Sequence, residues 1–170
     1  LHPVISGAKP NQAHMALARL DAMGLLQAVV TQNVDSLHQR AGSQNIVELH
    51  GNIHRTICFT ERTVVDSWPE TDEVPPRCPH CGDMLRPDVV WFGESLPQEA
   101  LAAAFMAAKQ CDLFLSIGTS ALVQPAASLP LVALEQGTVV VEINPDTTPL
   151  TPRVTHVLRG PAGQVLPALV

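Results

Sequence analysis

The 170-residue sequence predicts an α/β fold: a parallel sheet with helices on both faces, carrying one small insertion. Three observations carry that expectation. The candidate strands are continuous apolar runs rather than alternating ones, as strands buried on both faces are. Segments of helical periodicity alternate with them, which is the order of a parallel sheet. Between residues 52 and 88 both patterns stop, and three of the four cysteines share the stretch with Pro69, Pro75, Pro76 and Pro79.

Taken in order, Asn11 to Met23 places Ala13, Ala16, Leu17 and Leu20 on one helical face, with Asn11 as N-cap and Gly24 just past the end. LQAVVTQN then reads as a buried strand, DSLHQRAG as a short helix stopped by Gly42, and IVELHG as a second short strand. Residues 52–88 cannot build a core of their own, so they read as a module held by a metal or a neighbour. Pattern resumes with VVWFG as a strand, a helix from Glu99 to Lys109, DLFLSIGTS as a buried strand, and a helix reaching Glu135 with Pro125 and Pro130 near its start. TVVVEIN is another buried strand, and GPAGQVLPALV a short terminal helix.

Composition narrows the function. With 46% hydrophobic and 15% charged residues and a mean hydropathy of +0.16, the chain has the material for a core and not the composition of a disordered segment. A net charge of -6 is the wrong sign for gripping phosphate backbones, and with no Tyr, four Phe and two Trp there are few stacking platforms, so no nucleic acid is expected. No apolar run is long enough to span a bilayer, and LHPVISGAKP lacks the zones of a signal peptide, so the expectation is a cytoplasmic protein with no membrane partner. Cys78-Pro79-His80-Cys81-Gly82 reads as a metal knuckle or redox pair before a structural disulfide, whereas Cys111 reads as a small buried hydrophobe.

Three strands run into polar or glycine residues that a core would not want. They are Val29-Val30 into Thr31-Gln32-Asn33-Val34-Asp35, Ser116-Ile117 into Gly118-Thr119-Ser120, and Val141-Glu142-Ile143 into Asn144. Ligands of open parallel sheets bind beyond strand carboxyl ends, and Gly-Thr-Ser opening a turn offers backbone approach, hydroxyls and N–H groups to a phosphate or ribose. Ordinary turns and caps use the same residues; three at one sheet edge favour a nucleotide. His50, in Glu-Leu-His-Gly, ends another strand, and histidine is the usual general base near neutral pH. His2, His14, His38 and His156 have no such context.

The segments TQNVDSLHQRAG, VELHGNIHR, CPHCGDMLRPDVVWFGE, DLFLSIGTSALVQPAA and VEIN, in that order, resemble the sirtuin family of NAD-dependent protein lysine deacylases from about Pro10 to the C-terminus. The resemblance implies a Rossmann-like NAD-binding domain formed by residues 1–51 and 89–170, and a zinc-ribbon-like module at 52–88. It implies that Gln32, Asn33, Val34 and Asp35 line the nicotinamide and inner-ribose end of NAD, Asn33 holding ribose and a water. Gly118, Thr119 and Ser120 would meet the outer dinucleotide, Asn144, Pro145 and Asp146 the adenosine ribose, and Ala162 the adenine side. His50 and Asn33 would be catalytic, His50 as the base that deprotonates a ribose hydroxyl. Val90, Phe92 and Gly93 would meet an acylated-lysine protein or peptide that pairs as an added strand. In the implied reaction the acyl oxygen attacks the anomeric carbon and nicotinamide leaves, a ribose hydroxyl activated by His50 attacks the imidate carbon, and water completes release of free lysine and acyl-ADP-ribose.

Two departures stand out. Zinc-binding members use two Cys-x-x-Cys knuckles, and here the first reads Cys58-Phe59-Thr60-Glu61. Beside Cys58, Cys78 and Cys81, the fourth ligand is then Glu61 oxygen, His54 or His80 nitrogen, or the zinc site is lost. The family's first strand and Gly-Ala-Gly phosphate loop have no counterpart, so the expectation is an incomplete domain with Leu1 an internal residue. Two other readings remain beside the deacylase: a non-catalytic NAD or ADP-ribose-binding module, and a zinc-ribbon adaptor. Neither requires Asn33, Asp35 and His50 to share a cavity.

Overall fold

The structure, a computed structural model, describes residues 7–66 and 72–170; Leu1, His2 and Pro69, with the expectations attached to them, lie outside these. Helix α1 (Gln12–Ala22) starts where expected, because the Asn11 side chain accepts the N–H groups of Ala13 and His14 while His14 reaches back to the Asn11 N–H. Strand β1 (Val29–Thr31) stops where Thr31 Oγ1 accepts the Asn33 N–H at 3.1 Å. After α2 (Leu37–Ala41), strand β2 (Ile46–Glu48) pairs parallel with β1.

The inserted module is an antiparallel sheet ordered β4-β3-β5, from β3 (Gly51–Cys58), β4 (Val64–Val65) and β5 (Leu85–Val89). Here the reading of VVWFG as a strand is corrected: the strand ends at Val89, and Trp91 to Glu94 form a turn closed by Glu94 N–H to Trp91 O at 2.9 Å. Pro87 is tolerated because β5 is an edge strand of this sheet. Asn52 pairs with Asp88 but Thr56 with Pro87, so residues 53–55 bulge out of the ladder.

Helix α3 (Gln98–Gln110), strand β6 (Leu113–Ile117), a 3-10 turn (Ala126–Ser128) running into α4 (Leu129–Glu135), and strand β7 (Val139–Asn144) follow in the expected order. Strand β8 (His156–Arg159), which no sequence pattern marks, pairs parallel with β7, before α5 (Ala162–Val165) and a closing 3-10 turn (Leu166–Ala168).

Helices cover both faces of the parallel strands, as expected. On one face Ala13, Ala16, Leu17 and Leu166 pack with Ile143, Leu115, Ile117, Val141 and Leu158. On the other, Ala104, Ala108, Ala126 and Leu129 pack with Leu49, Val30, Val47 and Phe114, so α3 and α4 lie across both β2 and β6. Full burial of a side chain such as Leu49, Ile143 or Leu166 stabilises by about 1.5–3 kcal/mol each. The parallel strands nevertheless form two sheets, β1-β2 and β6-β7-β8, because among the described residues β1 and β6 each pair on one side. No helix among the described residues is long and apolar enough to cross a membrane.

Candidate active site

The carboxyl ends of β1, β2, β6 and β7 are tied together by hydrogen bonds. His50 Nδ1 lies 2.9 Å from the Gln32 carbonyl, Gln32 Nε2 donates to Thr119 Oγ1 at 3.4 Å, and Asn144 Nδ2 donates to the Thr119 carbonyl at 2.9 Å. A carbonyl can only accept, so His50 carries its proton on Nδ1 and Nε2 keeps a free lone pair. The imidazole is thereby set up as an acceptor on the nitrogen a general base needs.

Each strand end is shaped by local chemistry. Gly118 adopts φ +60 and donates its N–H to Ile143 O at 2.9 Å, and the space where its side chain would stand is open. Asn144 Oδ1 accepts the Asp146 N–H at 3.1 Å, turning the chain sharply after β7. Between these turns lies a cavity of 370 Å³ lined by Gly118, Thr119, Ser120, Leu122, Asn144, Asp146, Thr147, Thr148 and Pro149. Thr148 of this lining is anchored by Glu142, which is 1% exposed and accepts from the hydroxyls of Thr148 and Thr151. Arg159 braces the rim, donating to the carbonyls of Asn144 and Asp146.

Not every expected residue joins this assembly. Asn33 is exposed, and Asp35 Oδ1 accepts the Leu37 N–H at 3.0 Å, holding the first turn of α2. Val34 O accepts the Ile53 N–H at 2.9 Å, which fastens the loop after β1 to β3. Pro145 is exposed and Ala162 packs against the core, so neither lines the cavity.

The segment after β5 is bonded to the backbone of the catalytic candidate. Val90 N–H donates to the His50 carbonyl at 3.0 Å, while Trp91 is 62% exposed and Phe92 fully exposed. Gly93 completes the turn at φ +90, and Glu94 secures it by accepting from Trp91 N–H at 3.1 Å and Arg86 at 2.9 Å. The Arg86 guanidinium, then the Trp91 N–H, holds the Glu94 carboxyl below its usual range. Arg55 comes from the β3 bulge and bridges Glu48 at 3.1 Å and Asp88 at 2.6 Å, bracketing His50 from both sides along the chain. Sequence reasoning missed Gly51, Arg55, Glu142 and Arg159; the one signal for Glu142 was a lone carboxylate inside an apolar strand.

At the far end of the module Cys58, Glu61, Cys78 and Cys81 place three sulfurs and a carboxylate oxygen within 4.8 Å of one another. Zinc–sulfur bonds of about 2.3 Å in a tetrahedron set sulfurs about 3.8 Å apart, so this cluster fits a structural zinc. The Cys81 and His80 N–H groups lower the Cys78 thiol, whereas Cys81, although lowered by the Asp83 N–H, is driven up to about 11 by the adjacent Cys58 thiol. Three thiols this close resist ionising together; a cation would relieve that. Cys58 and Cys78 pack with Val65 and Leu85 in a buried cluster of the module.

Comparison with known proteins adds relatives to this geometry. A model described as the Sir2 family matches residues 2–125. The chain is 52% identical over 170 residues to an NAD-dependent protein deacylase of Pyrococcus furiosus, covering 96% of this chain and 68% of that one. It is 48% identical to NAD-dependent protein deacylase 1 of Pseudomonas aeruginosa, covering 98% and 70%. Among solved structures it superimposes on a Sir2 homologue in complex with NAD at a TM-score of 0.90 and 47% identity, covering 97% of this chain and 65% of that one. Sir2Tm bound to a propionylated peptide matches at 0.89 and 36%, covering 98% and 72%.

Proposed function

The chain belongs to the Sir2 family, and we propose that it serves as an NAD-dependent protein lysine deacylase, transferring an acyl group from lysine to ADP-ribose with release of nicotinamide. The observation that carries this reading is the hydrogen-bonded run from His50 through Gln32 and Thr119 to Asn144. It links the candidate base to the candidate dinucleotide cavity. An adaptor would need no such link, and a binding module no free Nε2 on His50.

NAD, when bound, supplies an anomeric carbon whose bond to nicotinamide breaks. Thr119, Ser120 and Gly118 offer hydroxyl and backbone groups, and Asn144 and Asp146 polar groups, to the adenosine end of the dinucleotide. Gln32, Asn33, Val34 and Asp35, on the loop between β1 and α2, face the nicotinamide end. His50 Nε2 takes the proton of a ribose hydroxyl, and the Gln32 carbonyl stabilises the imidazolium that results. Val90, Phe92 and Gly93 receive the acylated peptide beside His50, with the exposed Phe92 ring free to cover the acyl chain. An amide oxygen is a weak nucleophile, so the site acts first by positioning it and excluding water, and by proton transfer only afterwards.

In this reading residues 1–51 and 89–170 form the NAD-binding domain and residues 52–88 the zinc-braced module. The partners are acylated proteins or peptides. The net negative charge supports the absence of nucleic acid, and the Cys-x-x-Cys spacing supports a reducing, cytoplasmic setting.

Titration with ADP-ribose tests the site without turnover. Asn144→Ala is expected to weaken binding about tenfold, the loss of one buried hydrogen-bonding side chain at the cavity wall. Binding unchanged by the substitution would remove this cavity from the dinucleotide site.

A further inference from the structure

The structure assigns the fourth zinc position to Glu61, so that the module holds its metal through three thiolates and one carboxylate. Internal symmetry in the module supports this ligand. Two loops of the same build face each other across the cluster. In the first, the Arg62 N–H donates to the Cys58 carbonyl at 3.0 Å, and Arg62 takes φ +57. In the second, the Gly82 N–H donates to the Cys78 carbonyl at 2.9 Å, and Gly82 takes φ +78. Each loop buries its first ligand, Cys58 or Cys78, and exposes the residue three positions on. That residue is Cys81 in one loop and Glu61 in the other.

The finer contacts repeat as well. The Glu61 N–H points at Cys58 Sγ at 3.5 Å, as the Cys81 N–H does at the Cys78 sulfur. Thr60 and Asp83 are hydrogen-bonded across the gap and hold the loops in register. The Thr63 hydroxyl donates to Glu61 Oε2 at 3.4 Å, orienting the carboxylate. Cys58 and Cys81 sulfurs are 3.4 Å apart. His54 and His80, the other candidates from sequence, do not belong to the group of converging ligand atoms. Arg62 holds the same left-handed backbone that glycine holds in the second loop, a strained conformation for a non-glycine residue that the shared loop shape imposes.

Oxygen is a harder ligand than thiolate, so the centre holds zinc less tightly than four cysteines would. Cobalt(II) added to the metal-free chain tests the assignment, because the sulfur-to-cobalt charge-transfer band reports thiolate number and the visible bands report tetrahedral geometry. The protein is expected to give a tetrahedral three-thiolate spectrum. Glu61→Cys raises the charge-transfer band by about one third and retains zinc longer against a chelator. Glu61→Gln and Glu61→Ala keep the band but lose zinc affinity at least about tenfold, while His80→Ala changes neither. Zinc held as tightly by Glu61→Gln as by the unaltered chain, no added sulfur band in Glu61→Cys, or loss of affinity in His80→Ala would each overturn the assignment. The deacylase reading does not depend on the outcome, since none of these measurements uses turnover.

Discussion

His50→Ala is expected to abolish deacylation, lowering turnover by about 10²–10⁴, while exchange of labelled nicotinamide into NAD survives. The two reactions divide because they need different things from the protein. Departure of nicotinamide depends on holding the acyl oxygen and the sugar in contact, a task that the proposed function gives to the loop from Gln32 to Asp35 and to the segment at Val90 to Gly93. Proton removal from a ribose hydroxyl comes later and requires a free imidazole nitrogen. The Gln32 carbonyl, 2.9 Å from His50 Nδ1, fixes which nitrogen that is. His50→Gln, which restores a polar side chain but no base, should behave like the alanine variant. Equal loss of both reactions would assign His50 to binding instead.

Gly51→Ala should be the most destabilising single methyl in the molecule's centre, by about 3 kcal/mol or more, the sum of a left-handed backbone and a steric overlap that nothing soft can relieve. Gly51 sits at φ +77, and a Cβ there would stand 2.1 Å from the Asp88 carbonyl oxygen and 3.0 Å from its carbon. Both are backbone atoms of a paired strand, fixed by Gly51 opposite Val89 and Asn52 opposite Asp88. The chain must therefore move, and what moves is the turn carrying His50 against the segment carrying Val90. Urea unfolding would show the lower midpoint. Any folded remainder should have lost peptide-dependent turnover more than ADP-ribose binding, because the cavity at Gly118 and Asn144 lies on other strands. A midpoint within error of the unaltered protein would contradict the packing described.

Much of the fold was legible because local signals agreed with each other. Asn11 and Gly24 bracket α1, and continuous apolar runs mark β6 and β7. The failures have physical causes. β5 contains Arg86, Pro87 and Asp88, a composition suited only to an edge, whereas VVWFG looks like a strand but presents Trp91 and Phe92 to solvent in a turn. β8 is four residues, HVLR, held by pairing with β7 rather than by any pattern of its own. In the site, glycine and polar residues at strand ends named Gly118, Thr119, Asn144 and His50. The partners that fix them were out of reach, because the Arg55 bridge depends on which strands lie side by side and the Glu142 contacts on how the loop after β7 folds back over it. Cys-x-x-Glu gave the spacing of Glu61, and the mirrored loop at Cys78 supplied the reason to choose it.

The fate of the acyl group is the most direct test of the proposed reaction. Incubation of the protein with an acetyl-lysine peptide and NAD, followed by mass spectrometry of all products, is expected to give free-lysine peptide, nicotinamide and acetyl-ADP-ribose in equal amounts, with no peptide deacetylated when NAD is omitted. Free acetate released without consumption of NAD, or NAD cleaved with the peptide left acetylated, would contradict it.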